Sequence, residues 1–287
     1  MTLEAGGTMY FIRKIGKKII VLLVCGISIP TNLASALPQP KGYESKDSSI
    51  QSMANNSPLS GQDKSSIKPR SYLPIVSIHG GGFTASPGRA QDIYIIDLIG
   101  DHYSVNKKNS SNALFGLGVS FTGVDNSRFD LTYGVNAFYF GRTTVNGVIT
   151  QEQLFTNLAY SYSVTNIPIY ASIKGIMKNS RNDNFNLTLD IGFGPNLMST
   201  NNFNEQSLDG GITIPNHIFV GREITNFSAM AGIGIRISDV FHLIPIECGY
   251  RFFYLGKGNF TSFNNQVINA LNTSDNYANA LICTLVI

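Results

Sequence analysis

Ser77 and His79 stand two positions apart, so in an extended chain their side chains point the same way. A serine beside a histidine is the start of a nucleophilic acyl-transfer site, in which the imidazole takes the hydroxyl proton. That chemistry also needs a third group to hold the imidazole, and no acid is placed by the sequence to do so. The pair therefore reads as an interior histidine with a hydrogen-bond partner. His102, His217 and His242 fall in loops or turns, dispersed and without metal-ligand spacing. The run G-L-G-V-S-F-T-G from Gly116 has the glycines of a dinucleotide loop, but it lies in an extended segment with no helix after it. No cofactor and no metal are expected. What remains is a set of six ionisable residues, Asp130, Lys174, Asp190, Arg236, Glu247 and Arg251, each embedded in an otherwise alternating segment.

Those segments must position the charges. Phe185 to Gly194 reads F-N-L-T-L-D-I-G-F-G, apolar at every odd position and polar or glycine at every even one, which is the period of a strand with a different solvent on each face. The same pattern recurs over Leu73–Phe83, Ala113–Thr122, Phe129–Phe140, Leu158–Ile176, Phe185–Met198, Phe227–Ser238, Leu243–Leu255 and Tyr277–Ile287. Most are close to the ~9–11 residues of a tilted membrane strand, and Leu158–Ile176 is longer. The connections decide between a sandwich and a barrel. Val124–Arg128, Lys178–Asn184 and Asp239–His242 are short, whereas Thr84–Asn112, Gly141–Gln153, Ser199–Asn226 and Gly256–Asn276 are long. Strict alternation of short and long puts all the short turns at one end of an up-and-down sheet, as in outer-membrane barrels and unlike Greek-key sandwiches. The expected fold is therefore all-β, an eight-stranded antiparallel up-and-down transmembrane barrel over residues 72–287. Its apolar faces meet lipid and the opposite faces carry the six charges inward, where three acids and three bases neutralise one another and, with Tyr and Asn hydrogen bonds, plug a barrel of this size.

The N-terminus points to export. Arg13, Lys14, Lys17 and Lys18 precede an apolar run from Ile19, and Ala34-Ser35-Ala36 supplies small residues for cleavage after Ala36, so residues 1–36 read as a signal peptide. Met9, which the basic segment follows directly, is an alternative start. The apolar run is far short of the roughly 20 residues of a membrane helix. Cys25 follows Val24 where a lipobox has a small residue, which argues against lipidation. Residues 37–71 are a polar mixture of Ser, Asn, Gln, Pro and Lys, expected to form a flexible tail on the periplasmic side. Only 14% of the chain is charged and Trp is absent, while Phe (18), Tyr (13) and Gly (28) are abundant, a composition that suits β-structure in contact with lipid. The net charge of +3, with no dense basic run beyond the N-terminus, excludes nucleic acid as a partner.

On three stretches, G-G-G-F-T-A-S (Gly80–Ser86), Tyr103–Val119 and G-Y-R-F-F-Y-L-G-K-G (Gly249–Gly258), the chain from Leu73 to Ile287 resembles the eight-stranded outer-membrane barrels of the opacity and OmpA-like type, above all the multi-paralogue surface barrels of intracellular gammaproteobacteria. Such chains commonly end in Phe, whereas this one ends L-V-I, with Leu281, Leu285 and Ile287 keeping the alternation. The resemblance implies a monomer in the outer membrane, in contact with lipid and lipopolysaccharide. It implies an adhesin-like interaction protein without catalysis, meeting a host or envelope surface ligand through its outer loops, chiefly Thr84–Asn112 and Ser199–Asn226. A narrow porin-like channel and a lipid-modifying barrel enzyme are the alternatives. Cys248 and Cys283 fall on the last two strands, almost opposite one another. The sequence leaves open whether they are bonded or serve as small apolar thiols.

Overall fold

The computed structural model describes residues 73–106, 110–179, 184–240 and 244–287. The signal peptide read over 1–36 and the tail over 37–71 lie outside the described residues, as does His242. Eleven strands form in chain order: β1 (Ile75–Ala85), β2 (Gln91–Ile93), β3 (Asp101–Val105), β4 (Ser110–Asp125), β5 (Phe129–Gln151), β6 (Phe155–Met177), β7 (Phe185–Ser207), β8 (Phe219–Gly221), β9 (Glu223–Val240), β10 (Ile244–Ser262) and β11 (Asn272–Val286). Eight of them close a ring in the order β1, β4, β5, β6, β7, β9, β10, β11, with every neighbouring pair antiparallel. The ring closes where β1 meets β11, from Ser77 opposite Val286 to Ala85 opposite Ala278. Closure leaves no open edge in the ring, the condition for a sheet to cross lipid.

Alternation sets the faces. The outward positions are the odd residues of 115–121, 129–139, 167–177, 185–197, 227–237 and 277–287, together with the even residues of 76–82 and 246–254. None of these positions carries an acid or a base. The amide of Asn279 in this belt accepts a hydrogen bond from the Tyr250 hydroxyl, so its polar group is not left bare. A belt of Ile, Leu, Val and Phe facing outward from a closed ring is stable only against an apolar solvent, and a Lys or Arg at its mid-height would cost roughly 2–4 kcal/mol.

Beyond the belt the strands do not stop where the alternation breaks. β5 runs past Phe140 through a bulge at Gly141 and Arg142 and continues to Gln151. Before the bulge Phe138 and Phe140 point inward; after it Thr143, Val145 and Ile149 do, so the parity of the buried face inverts. β7 inverts likewise at Asn202, which has a left-handed φ of 54°, and β10 at Gly256, φ 80°. Only glycine fits the latter position, because a Cβ there would lie 2.8 Å from the Asn226 Cβ and 2.9 Å from the Phe227 carbonyl oxygen. The connection expected over Gly141–Gln153 is thus mostly strand, and β5 and β6 meet in a tight turn closed by Leu154 N–H donating to Gln151 O at 3.0 Å. Much of the Ser199–Asn226 and Gly256–Asn276 connections is strand as well, and Thr84–Asn112 contains β2 and β3, with His102 on β3 rather than in a loop.

Candidate functional site

Five of the six interior charges gather in the half of the lumen nearer the short turns. Glu247 on β10 accepts from Lys174 Nζ on β6 at 2.5 Å and has Arg236 Nε of β9 at 3.5 Å from its other oxygen. Asp190 on β7 takes both Arg251 Nε, at 2.8 Å, and Arg251 Nη2, at 2.6 Å, on a single oxygen, Oδ2. The side chains of this second pair are each 7% exposed, so the pair is out of bulk water. Asp190 Oδ1 accepts no hydrogen bond from the described residues and packs against Gly232, where a Cβ would come within 2.1 Å of it. The register makes one of these meetings, setting Glu247 opposite Arg236; Lys174 lies opposite Asp190 but pairs with Glu247, and Asp190 and Arg251 both lie opposite Gly232 on the strand between them. Asp130 falls outside the group. It shares the inward parity, but it sits beside the first residues of β5 and pairs at 2.6 Å with Lys178, which also binds Asp125 at 2.9 Å. Neutralisation inside is therefore two acids against three bases, because the third acid is taken by a turn lysine.

Ser77 and His79 meet in the same chamber. His79 Nε2 is 3.1 Å from both Ser77 Oγ and Asn136 Oδ1, and Nδ1 is 2.8 Å from Thr284 Oγ1. The group that orients the ring is a hydroxyl, where acyl-transfer chemistry uses a carboxylate to stabilise the imidazolium. Ser77, His79, Asn136, Lys174, Asp190 and Arg251 border a cavity of about 40 Å³. That volume holds about three waters and no acyl chain.

Further along the lumen the expected Tyr and Asn hydrogen bonds do occur, as in Asn196 Nδ2 donating to Asn166 Oδ1 at 2.8 Å, but they stand beside a packed cluster of Phe and aliphatic side chains that the expectation of a plug made of charges, Tyr and Asn did not include. Phe253 packs edge-on against Phe138 (centroids 5.6 Å) and Phe140 (5.0 Å), and Phe140 against Phe83 (4.8 Å). Beside them the Tyr170 hydroxyl and Ser228 Oγ are 2.6 Å apart. Above, Tyr103, Tyr162, Phe219 and Phe260 continue one buried cluster that reaches Ile93 and Leu271. The Tyr103 hydroxyl donates to Glu205 Oε1, and burial, aided by the nearby carboxylates, pushes its pKa far up. Edge-to-face rings interlocked in this way pack the lumen at their level.

At the long-connection end the loops tie into one crown. Ile95 bridges Val267, and Ile268 N–H donates to Tyr94 O, joining residues 94–100 to 263–271. Ile99 N–H donates to Glu152 Oε2, Asn157 Nδ2 to Thr213 Oγ1, and Phe263 N–H to Ile218 O, so each loop is tied to the next. Asp209 folds the 208–218 loop by accepting from the Ser207 hydroxyl and from the Thr213 hydroxyl and amide, which hold its carboxyl far below the usual range. Large aliphatic and aromatic side chains stand in water here: Ile212 is 85% exposed, Ile214 77%, Leu154 71% and Phe263 71%. The acids Asp92, Asp97, Asp101, Glu152, Glu205 and Asp209 lie in or beside these loops, and residues 91–105, 145–158, 203–218 and 260–271 contain no Lys or Arg. Exposed Arg89, Arg142, Arg222 and Lys257 sit lower, near the level of the bulges. Sequence reading pointed to the outer loops without naming these residues, since exposure of an isoleucine leaves no mark in a sequence.

No family model matches the chain, and no curated protein matches it in sequence. Among solved structures, the outer membrane protein OprG from Pseudomonas aeruginosa is similar at 11% identity, covering 75% of this chain and 97% of that one, with a TM-score of 0.41. The outer membrane protease OmpT from Escherichia coli is similar at 10% identity, covering 77% and 99%, with a TM-score of 0.43. Ail, the attachment invasion locus protein of Yersinia pestis, in complex with the heparin analogue sucrose octasulfate, is similar at 13% identity, covering 75% and 99%, with a TM-score of 0.33. The fold itself rests on the closed ladder and its outward apolar belt: the chain is an eight-stranded antiparallel up-and-down transmembrane β-barrel.

Proposed function

We propose that this barrel is a non-conducting outer-membrane surface protein that acts as an adhesin-like interaction module through its crown, without catalysis. The observation that carries this reading is the contrast between a lumen filled by interlocked rings and a crown that holds large apolar side chains in water. Leaving Ile212, Ile214, Leu154 and Phe263 exposed forfeits about 1.5–3 kcal/mol of burial each, which a binding surface recovers on contact. The four bases near the bulges stand where the lipid belt ends, and there they would meet the phosphates of the outer leaflet, lipopolysaccharide included. A porin-like channel is disfavoured by the Phe83, Phe138, Phe140 and Phe253 plug, and a lipid-modifying enzyme by a chamber too small for an acyl chain. The test is twofold. Planar bilayers carrying the purified barrel should conduct no more than bare bilayers, and cells displaying it should adhere to host cells only when the crown residues are intact. Stepwise conductance, or adhesion unchanged by Ile212→Ser, Ile214→Ser and Phe263→Ser together, would overturn the reading. A change in the lipid A mass spectrum on expression would favour the enzyme instead.

A further inference from the structure

Resting on the interaction reading above, we infer that the crown docks a basic polypeptide segment bearing large apolar side chains, not a polyanion, a bilayer or a neutral glycan. Two features on one surface carry this. The first is aliphatic: Ile212, Ile214, Leu154 and Ile268, joined by Phe263, stand more than two-thirds exposed on loops held to one another by hydrogen bonds. Aliphatic side chains outnumber aromatic ones in this patch, which suits apolar side chains more than sugars. The second is charge. Six carboxylates and no Lys or Arg occur in the described crown segments. Most of the partners those carboxylates hold are neutral: Ser207 and Thr213 on Asp209, the Ile99 amide on Glu152, and the Tyr103 hydroxyl and His217 amide on Glu205. Such bonds fix the carboxylates without cancelling them, leaving a negative field over the apolar patch. Sulfated glycans, nucleic acids and anionic membranes are repelled by it, while a chain carrying Lys or Arg between apolar residues satisfies both features at once. The hydrogen-bonded loops also lower the ordering cost of binding.

The experiment uses the whole barrel in phosphatidylcholine nanodiscs, with empty nanodiscs as the blank. The probes are a Lys/Leu peptide, a Glu/Leu peptide, a Lys/Ser peptide and heparin. The Lys/Leu peptide should bind at least about tenfold more tightly than any other probe, the ratio given by roughly 1.4 kcal/mol. Ile212→Ser, Ile214→Ser and Phe263→Ser combined should weaken it by about tenfold or more. Asp97→Asn, at a left-handed position that Asn tolerates, should weaken it by about threefold and flatten its dependence on salt. Retained heat-modifiable mobility on gels shows that each variant is folded. If heparin or the Glu/Leu peptide binds as well as the Lys/Leu peptide, and the crown substitutions abolish that binding, the basic partner is refuted while the interaction reading stands. If no probe responds to the crown substitutions, the basic partner is refuted, and the host-cell adhesion assay alone decides the interaction reading.

Discussion

Removing Asp190 should be among the most damaging single changes in the lumen, and removing its partner as well should restore much of the loss. Arg251 spends both Nε and Nη2 on one oxygen of Asp190. The other interior acid, Glu247, is already engaged by Lys174 and Arg236. Asp190→Leu therefore leaves three bases facing one acid, with Arg251 only 7% exposed and without a counter-charge. Breaking a buried ion pair by removing one member costs about 3–5 kcal/mol, whereas replacing both members by apolar groups of similar volume is often near neutral. The double variant Asp190→Leu/Arg251→Met should thus lie within about 1–2 kcal/mol of the parent, recovering roughly 1–4 kcal/mol of the loss caused by Asp190→Leu alone. The assay is reversible urea unfolding of the barrel in vesicles, read by the gel mobility that separates folded from unfolded barrels. A loss below about 1 kcal/mol for Asp190→Leu would show that water in the cavity already screens Arg251, and a double variant no better than the single would show that the interior pair is not coupled.

Three further outcomes are expected. Ile233→Arg, at an outward position of β9, should cost roughly 2–4 kcal/mol in the same assay, and a neutral result would mean that this face does not meet lipid. Cys248 and Cys283 pair directly in the β10–β11 register with a Cα separation of 4.1 Å and are disulfide-bonded, so the barrel domain should yield no alkylatable thiol until reductant is added. Because the ladder already holds the two strands together, replacing both by Ala should cost well under the ~4 kcal/mol that closing a loop of 35 residues gives in the chain-entropy picture. Asp209 has a folded-state pKa below its unfolded value of 3.8, so its contribution is complete above that value and is lost only as pH falls through the lower one. Protection of the Thr213 amide from hydrogen exchange should therefore be intact down to about pH 4 and be reduced at neutral pH by Asp209→Asn.

The membrane half of the fold was legible because lipid enforces period two on every strand: the odd residues of Phe185–Met198 and Phe227–Ser238 predict their faces as the structure places them. The outer half was not, for two local reasons. Strand parity inverts at Gly141–Arg142, at Asn202 and at Gly256, so a reading by strict alternation ends each strand there and calls the remainder loop. The β5–β6 turn also lacks the Asn-Gly or Asp-Gly signal, since it places Glu152 (φ 49°) and Gln153 (φ 57°) in the left-handed region that other residues usually supply. The charges were legible as a set, and their parity put them on one side. Pairing was not, because Asp130 meets Lys178 across a turn whose geometry the spacing leaves free, and the Phe138–Phe253 plug depends on rings converging from strands far apart in sequence.

The parity inversions also determine how far from the bilayer the crown stands. Above the bulge β5 continues for nine more residues, Thr143 to Gln151, and at the usual rise and tilt these lift the crown about 20–25 Å beyond the level where the belt ends. That height is spanned by paired strands around a packed interior, so it behaves as a stiff pedestal whose length thermal motion changes little. A ligand need not penetrate to the lipid surface to touch Ile212 or Phe263. Shortening the β5–β6 and β7 extensions by whole pleats, with the crown kept intact, would turn the same surface into one hidden among its neighbours' head groups, so stand-off distance is a variable of recognition separate from the chemistry of the crown.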